Sequence, residues 1–137
     1  MELRDKKILV IDDAVPIRTF LRISLQAQGV SYFEAGTAAG GLQMCAEVKP
    51  DVVVLDLGLP DADGLDILAD LKKKTANGHF PSVVVLTVRK EQAMISRAYA
   101  LGADAYLTKP FLMEDLLDLI QAQLQMSSPA VSPQPPQ

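Results

Sequence analysis

At 137 residues and 49% hydrophobic composition, the chain has the size of one domain with a single core, which excludes disorder of the whole. A net charge of −4, from 13 basic and 17 acidic residues, gives no electrostatic footprint for nucleic acid or an anionic membrane, so direct DNA contact by this chain is not expected. One cysteine, Cys45, excludes an internal disulfide framework, and the apolar run in "MELRDKKILVIDD" is too short for a signal-peptide core or a membrane span, so a cytoplasmic, reducing setting is expected.

The first apolar run, "KILVI" (7–11), reads as a strand. Pro16 suits the opening turn of the helix that follows, where its missing N–H costs nothing, and Ile17, Phe20, Leu21 and Leu25 mark one face. Gly29 stops that helix as a left-handed cap. The second strand is "VSYFE" (30–34). Thr37 is an N-cap type for a second helix, which ends at Lys49 because Pro50 pushes its predecessor out of the helical region. "VVVL" (52–55) is the third strand. A third helix begins near Gly64 with Leu65, Leu68 and Leu71 inward, and dissolves in "KKKTANGHFP". "SVVVL" (82–86) is the fourth strand, followed by a helix over about 90–101 closed by Gly102. "DAYL" (104–107) precedes a fifth helix with the stripe Met113, Leu116, Leu117, Ile120 and Leu124. Beyond residue 125, "MSSPAVSPQPPQ" carries too much proline and serine for a helix or a packed strand. Residues 1–125 are therefore expected to form the domain, and 126–137 a disordered tail or the start of a linker.

Strands alternating with helices imply βαβ units and a parallel sheet covered on both faces. In such sheets ligands sit beyond the carboxyl ends of the strands, where the winding reverses. Asp12 and Asp13 follow the first strand, Asp56 the third, Thr87 the fourth and Lys109 the fifth. In the flavodoxin-like order 2-1-3-4-5 these four strands are neighbours, and the five residues line one crevice. With strands about 4.8 Å apart, three carboxylates fall within mutual reach and repel one another unless counter-ions are present. Lys109 supplies one positive charge. Hard oxygen ligands with room for water suit Mg²⁺, which completes its shell with water and phosphate oxygens. Asp56 is then a nucleophile that accepts a phosphoryl group as an aspartyl phosphate.

These motifs, "ILVIDD", "DVVVLDLGLPDADGLDIL", "VVVLT" and "GADAYLTKPF", resemble the response-regulator receiver domains of two-component phosphorelay signalling, over about residues 6–125. The resemblance implies that Asp56 takes phosphate from a phosphohistidine of a sensor histidine kinase or a histidine phosphotransfer protein. It implies that Asp13 ligates Mg²⁺ directly, Asp12 chiefly through water, and Gly58 through its backbone carbonyl, with Asp56 also among the metal ligands. Thr87 and Lys109 are implied to clamp the phosphoryl group, Lys109–Pro110 to be a cis peptide, and Tyr106 to switch with Thr87. The implied output surface is helix 4, strand 5 and helix 5, acting on a downstream protein or a fused output domain. The implied chain is a monomer that catalyses only its own phosphorylation and dephosphorylation, with dimerisation on phosphorylation left open. Kinase choice is expected on the first helix, around residues 17–25, and on the loop between strand 5 and helix 5.

Val88 departs from the family's usual small residue and is expected to narrow access to the phosphoryl site. Gly58 and Arg89 occupy positions that the resemblance implies border the path of attacking water, with no net sign assigned. His79 reads as a loop histidine, and Asp61 and Asp63 read as turn and cap residues. Three other readings are open. The chain is the amino-terminal receiver of a longer DNA-binding or enzymatic regulator, an alternative to the favoured stand-alone form. It is a metal-dependent phosphatase with an aspartyl nucleophile, a remote option because Gly58 replaces the needed acid/base carboxylate. Or it signals without phosphate, for which no residue gives support.

Overall fold

The computed structural model describes residues 3–73 and 81–126. Five parallel strands, β1 (Lys7–Ile11), β2 (Ser31–Ala35), β3 (Val52–Leu55), β4 (Ser82–Thr87) and β5 (Ala105–Thr108), form one sheet of order β2-β1-β3-β4-β5. This is the order expected. Helices α1 (Val15–Gln26), α2 (Ala38–Val48), α3 (Gly64–Leu71), α4 (Gln92–Ala100) and α5 (Met113–Met126) connect and follow the strands.

Both faces of the sheet are covered, which is why β1, β3 and β4 are continuous apolar runs. Leu9, Ile11, Val53, Leu55, Val83 and Val85 face α2, α3 and α4, whereas Ile8, Val10, Val52, Val54, Val84 and Leu86 face α1 and α5. Each such fully buried side chain contributes about 1.5–3 kcal/mol through removal from water.

The local signals act largely as expected. Pro16 lies in the first turn of α1, Thr37 Oγ1 accepts from the Gly40 N–H at 3.1 Å, and Gly29 and Gly102 take positive φ. Lys49 ends α2 at φ 54°, a left-handed conformation that still lets its N–H donate to the Cys45 carbonyl. The α3 face carries Leu65, Leu68 and Leu71, and also Ile67, into the core.

Two expectations shift. Phe20 does not join the buried stripe of α1; it is 47% exposed, with its ring 6.1 Å from that of Phe111. Helix α4 is shorter than expected, because Glu91 stands in extended conformation before it. His79 and the tail from residue 127 lie outside the described residues. Among the described residues, no helix is long and apolar enough to cross a membrane.

Candidate functional site

Three charged side chains stand one residue past the end of a strand, and in each case the backbone N–H continues the ladder. Asp12 donates to the Ala35 carbonyl at 3.1 Å, Asp56 to Ile11 at 2.9 Å and Lys109 to Thr87 at 2.8 Å. The pairing that builds the sheet thus also fixes where the charges emerge. Asp12 and Asp56 are buried, Asp13 is exposed beside them, and one carboxylate oxygen from each lies within 4.8 Å of the others.

Lys109 bridges the pair from across the sheet. Its Nζ lies 2.8 Å from Asp12 Oδ2 and 3.4 Å from Asp56 Oδ2. One ammonium among three carboxylates leaves excess negative charge in a concentrated spot. The donor set of hard oxygens, with one ligand open to water, fits Mg²⁺. Both oxygens of Asp12 are already engaged, Oδ1 by the Ala14 N–H at 2.9 Å and Oδ2 by Lys109, which suits contact with a metal through water better than direct ligation.

Asp56 Oδ1 accepts from the Gly58 N–H at 3.1 Å, so the backbone after the strand curls back onto the carboxylate. A Cβ on Gly58 would meet only Asp56 Oδ1, at 3.8 Å; the position is open. The curl is closed by Gly64, where a Cβ would run into the Leu57 backbone. Asp63 caps α3 through the Leu65 N–H at 2.9 Å. Asp61 reaches across to the start of α2 and accepts from the Ala38 and Ala39 N–H groups at 2.8 and 3.1 Å, and these two bonds hold its carboxyl below the ordinary value of 3.8. Asp61 is therefore a cap, as expected, but of a helix that precedes it by more than twenty residues.

The β4 side is built differently. Thr87 is fully buried, and its Oγ1 accepts weakly from the Arg89 N–H at 3.4 Å. Val88 is 66% exposed, and Arg89 pairs with Glu91 at the surface at 3.2 Å. The half-buried Tyr106 donates its hydroxyl to the Arg89 carbonyl at 2.7 Å; burial pushes its pKa above the usual value, so it remains a donor. The Lys109–Pro110 peptide is cis, as expected.

Arg18 also belongs to this rim, and sequence reasoning missed it. Its Nη1 donates to the Asp12 carbonyl at 2.7 Å while its Nε pairs with Glu34 on β2 at 3.2 Å. The opposite charges on α1 and the neighbouring strand were the available signal.

Comparison with known proteins agrees with this geometry. Residues 8–121 match the family model of the response regulator receiver domain. The chain is 39% identical over 128 residues to the KDP operon transcriptional regulatory protein KdpE of Escherichia coli, covering 93% of this chain and 55% of that protein. It is 40% identical over 129 residues to the transcriptional regulatory protein KdpE of Mycobacterium tuberculosis, covering 94% and 55%. The chain thus spans about half the length of these relatives. Among solved structures, a two-component response regulator from Clostridium difficile superposes with a TM-score of 0.83 at 28% identity, covering 90% of this chain and all of that one. A CheY-like receiver domain from Methanospirillum hungatei gives 0.82 at 28% identity, covering 89% and 95%. With the strand order, the rim carboxylates and the matched span in agreement, the chain belongs to the response regulator receiver domain family.

Proposed function

We propose that Asp56 is the phosphoacceptor of a signalling switch. The observation that carries this reading is its placement: a buried carboxylate at the rim, beside Asp12 and Asp13 and 3.4 Å from the Lys109 ammonium. An Asp56 oxygen forms the new bond to phosphorus as the P–N bond of a phosphohistidine breaks, and the imidazole nitrogen keeps the electron pair. Bound Mg²⁺ supplies positive charge to the phosphoryl oxygens. Asp13, Asp56 and the Gly58 carbonyl would hold it, with Asp12 acting through water. Lys109 turns its ammonium from Asp12 to a phosphoryl oxygen, and the Thr87 hydroxyl donates to another.

The donor is a sensor histidine kinase or a histidine phosphotransfer protein. Exposed apolar side chains support a docking surface for it: Val15, Phe20 and Ile23 on α1, with Leu112 after β5. Output runs through α4, β5 and α5, with Thr87 and Tyr106 as the moving parts, to a downstream protein or an attached domain. Residues 1–125 constitute the receiver. Val88 at the rim slows phosphorylation by small donors and prolongs the phosphoform, so Val88→Ala should label and hydrolyse faster; equal rates would remove this role.

The test is the intact mass after incubation with Mg²⁺ and acetyl phosphate. A gain of one phosphoryl group, about 80 Da, that disappears in Asp56→Asn is expected. A gain that persists in the variant moves the acceptor elsewhere and ends this assignment.

A further inference from the structure

The rim that bears Asp12 and Asp13 is braced from the edge strand by polar side chains that phosphoryl transfer does not touch. Arg18, in the second turn of α1, joins the Asp12 carbonyl to Glu34 of β2. The other Glu34 oxygen accepts from the Tyr32 hydroxyl at 2.9 Å and lies 3.5 Å from Arg22 Nη1. Tyr32 also lies 3.0 Å from the Arg18 carbonyl. Burial, then the bond to Glu34, raises the Tyr32 pKa well above its usual value and keeps the proton on its oxygen. Gly36 leaves room for the guanidinium, since a Cβ there would fall 2.9 Å from Arg18 Nη1.

We propose that Arg18 is a positioning residue for the metal-binding carboxylates, fixing the Asp12–Asp13 peptide through the Asp12 carbonyl and so aiming the exposed Asp13. The proposal rests on the reading of Asp12, Asp13 and Asp56 as the Mg²⁺ site. A peptide group is planar, so a bond that holds the Asp12 carbonyl also orients the Asp13 nitrogen. The Asp12 N–H is held by Ala35 and its Oδ1 by Ala14, and Arg18 adds the constraint on the far side of the residue.

Two effects of Arg18 oppose each other. A bare cation near three carboxylates would repel Mg²⁺, whereas a bond that preorients Asp13 would favour it. Glu34, 3.2 Å from the Arg18 guanidinium and shared with Arg22, offsets part of its charge, so repulsion at the metal site is reduced while the bond to the Asp12 carbonyl keeps its full orienting effect, and orientation dominates. Removing Arg18 should therefore weaken Mg²⁺ binding.

The experiment titrates Mg²⁺ alone into the unphosphorylated 137-residue chain by calorimetry, with thermal unfolding to verify folding. Arg18→Met is expected to raise the Kd about tenfold, the range found when partners behind a metal ligand are lost. In acetyl phosphate labelling, the half-saturating Mg²⁺ concentration should rise more than the saturating rate falls. Arg18→Lys should recover only part, because an ammonium cannot span both acceptors as a guanidinium fork does. Gly36→Ala retains the charge but displaces it, and should shift the Kd in the same direction; it decides the matter if Arg18→Met does not fold. An unchanged or lower Kd in the folded variant overturns the proposal. Asp13→Asn separates the two levels: loss of binding there, with none in Arg18→Met, sinks only the positioning role, and no loss in either sinks the metal site itself.

Discussion

The two halves of the rim are held by very different means. Around Asp12 and Asp56, backbone and side chain are fastened together: the Asp12 amide, carbonyl and both carboxylate oxygens all have partners, and the loop after Asp56 is tied by Asp61, Asp63 and Gly64. Around Thr87, the loop into α4 has an exposed Val88, a weak 3.4 Å bond to Thr87, a surface ion pair and one good bond from Tyr106. Glu91 stands at the N-cap of α4, but its side chain makes no hydrogen bond to the helix amides. Preorganisation is worth most where charges must be set before reaction, while few buried contacts favour local opening. The acidic half thus serves as a platform, and the β4–α4 half is the part that can exchange one set of bonds for another.

The largest break in this contrast should come from Gly64→Ala. The added methyl meets the Leu57 backbone, which has no flexible end to yield, and a loss of about 3 kcal/mol in urea unfolding is expected. A loss under about 1 kcal/mol would show that the platform is softer than its bonds imply.

A smaller effect belongs to Asp61, and it depends on pH. Its folded pKa is lowered by the α2 amides, so its stabilising contribution is present above the unfolded value and is lost as pH falls through the folded one. The difference in Tm between the native chain and Asp61→Ala should be full near neutrality and shrink below about pH 4. A difference that is constant with pH would mean that the charge contributes nothing.

The least stability change should follow Tyr106→Phe, less than about 1 kcal/mol, because its single bond lies at the surface. Amide exchange over residues 88–91 should nevertheless accelerate while that of Asp12 to Ala14 does not. Equal acceleration in both would erase the distinction between the halves.

Much of this was legible in the chain itself. Strand ends and the carboxylates beyond them follow from short apolar runs that stop at a charge, and Thr37, Asp63, Gly29 and Gly102 acted locally as their types suggest. The Arg18 link to Glu34, hinted at only by opposite charges, and the reach of Asp61 to α2 could not be fixed from the chain. Each joins residues sixteen or more apart whose meeting depends on how a helix rotates on the sheet, which periodicity leaves open. Phe20 misled for a related reason: it falls at the edge of an apolar stripe, and its partner Phe111 lies across the fold.

The clasp of Leu57 against Gly64 has a further consequence, for protein engineering. Residues 57–64 are closed at the base by backbone on backbone and stapled midway to α2 by Asp61. A reporter or an extra segment spliced into this loop would have to prise one fastening apart and would disturb Asp56 with it. Splice sites are better sought at exposed turns whose backbone bonds are few, and the stretch around Val88 to Lys90 meets that condition on the same rim, where an inserted probe would report on the more loosely held half.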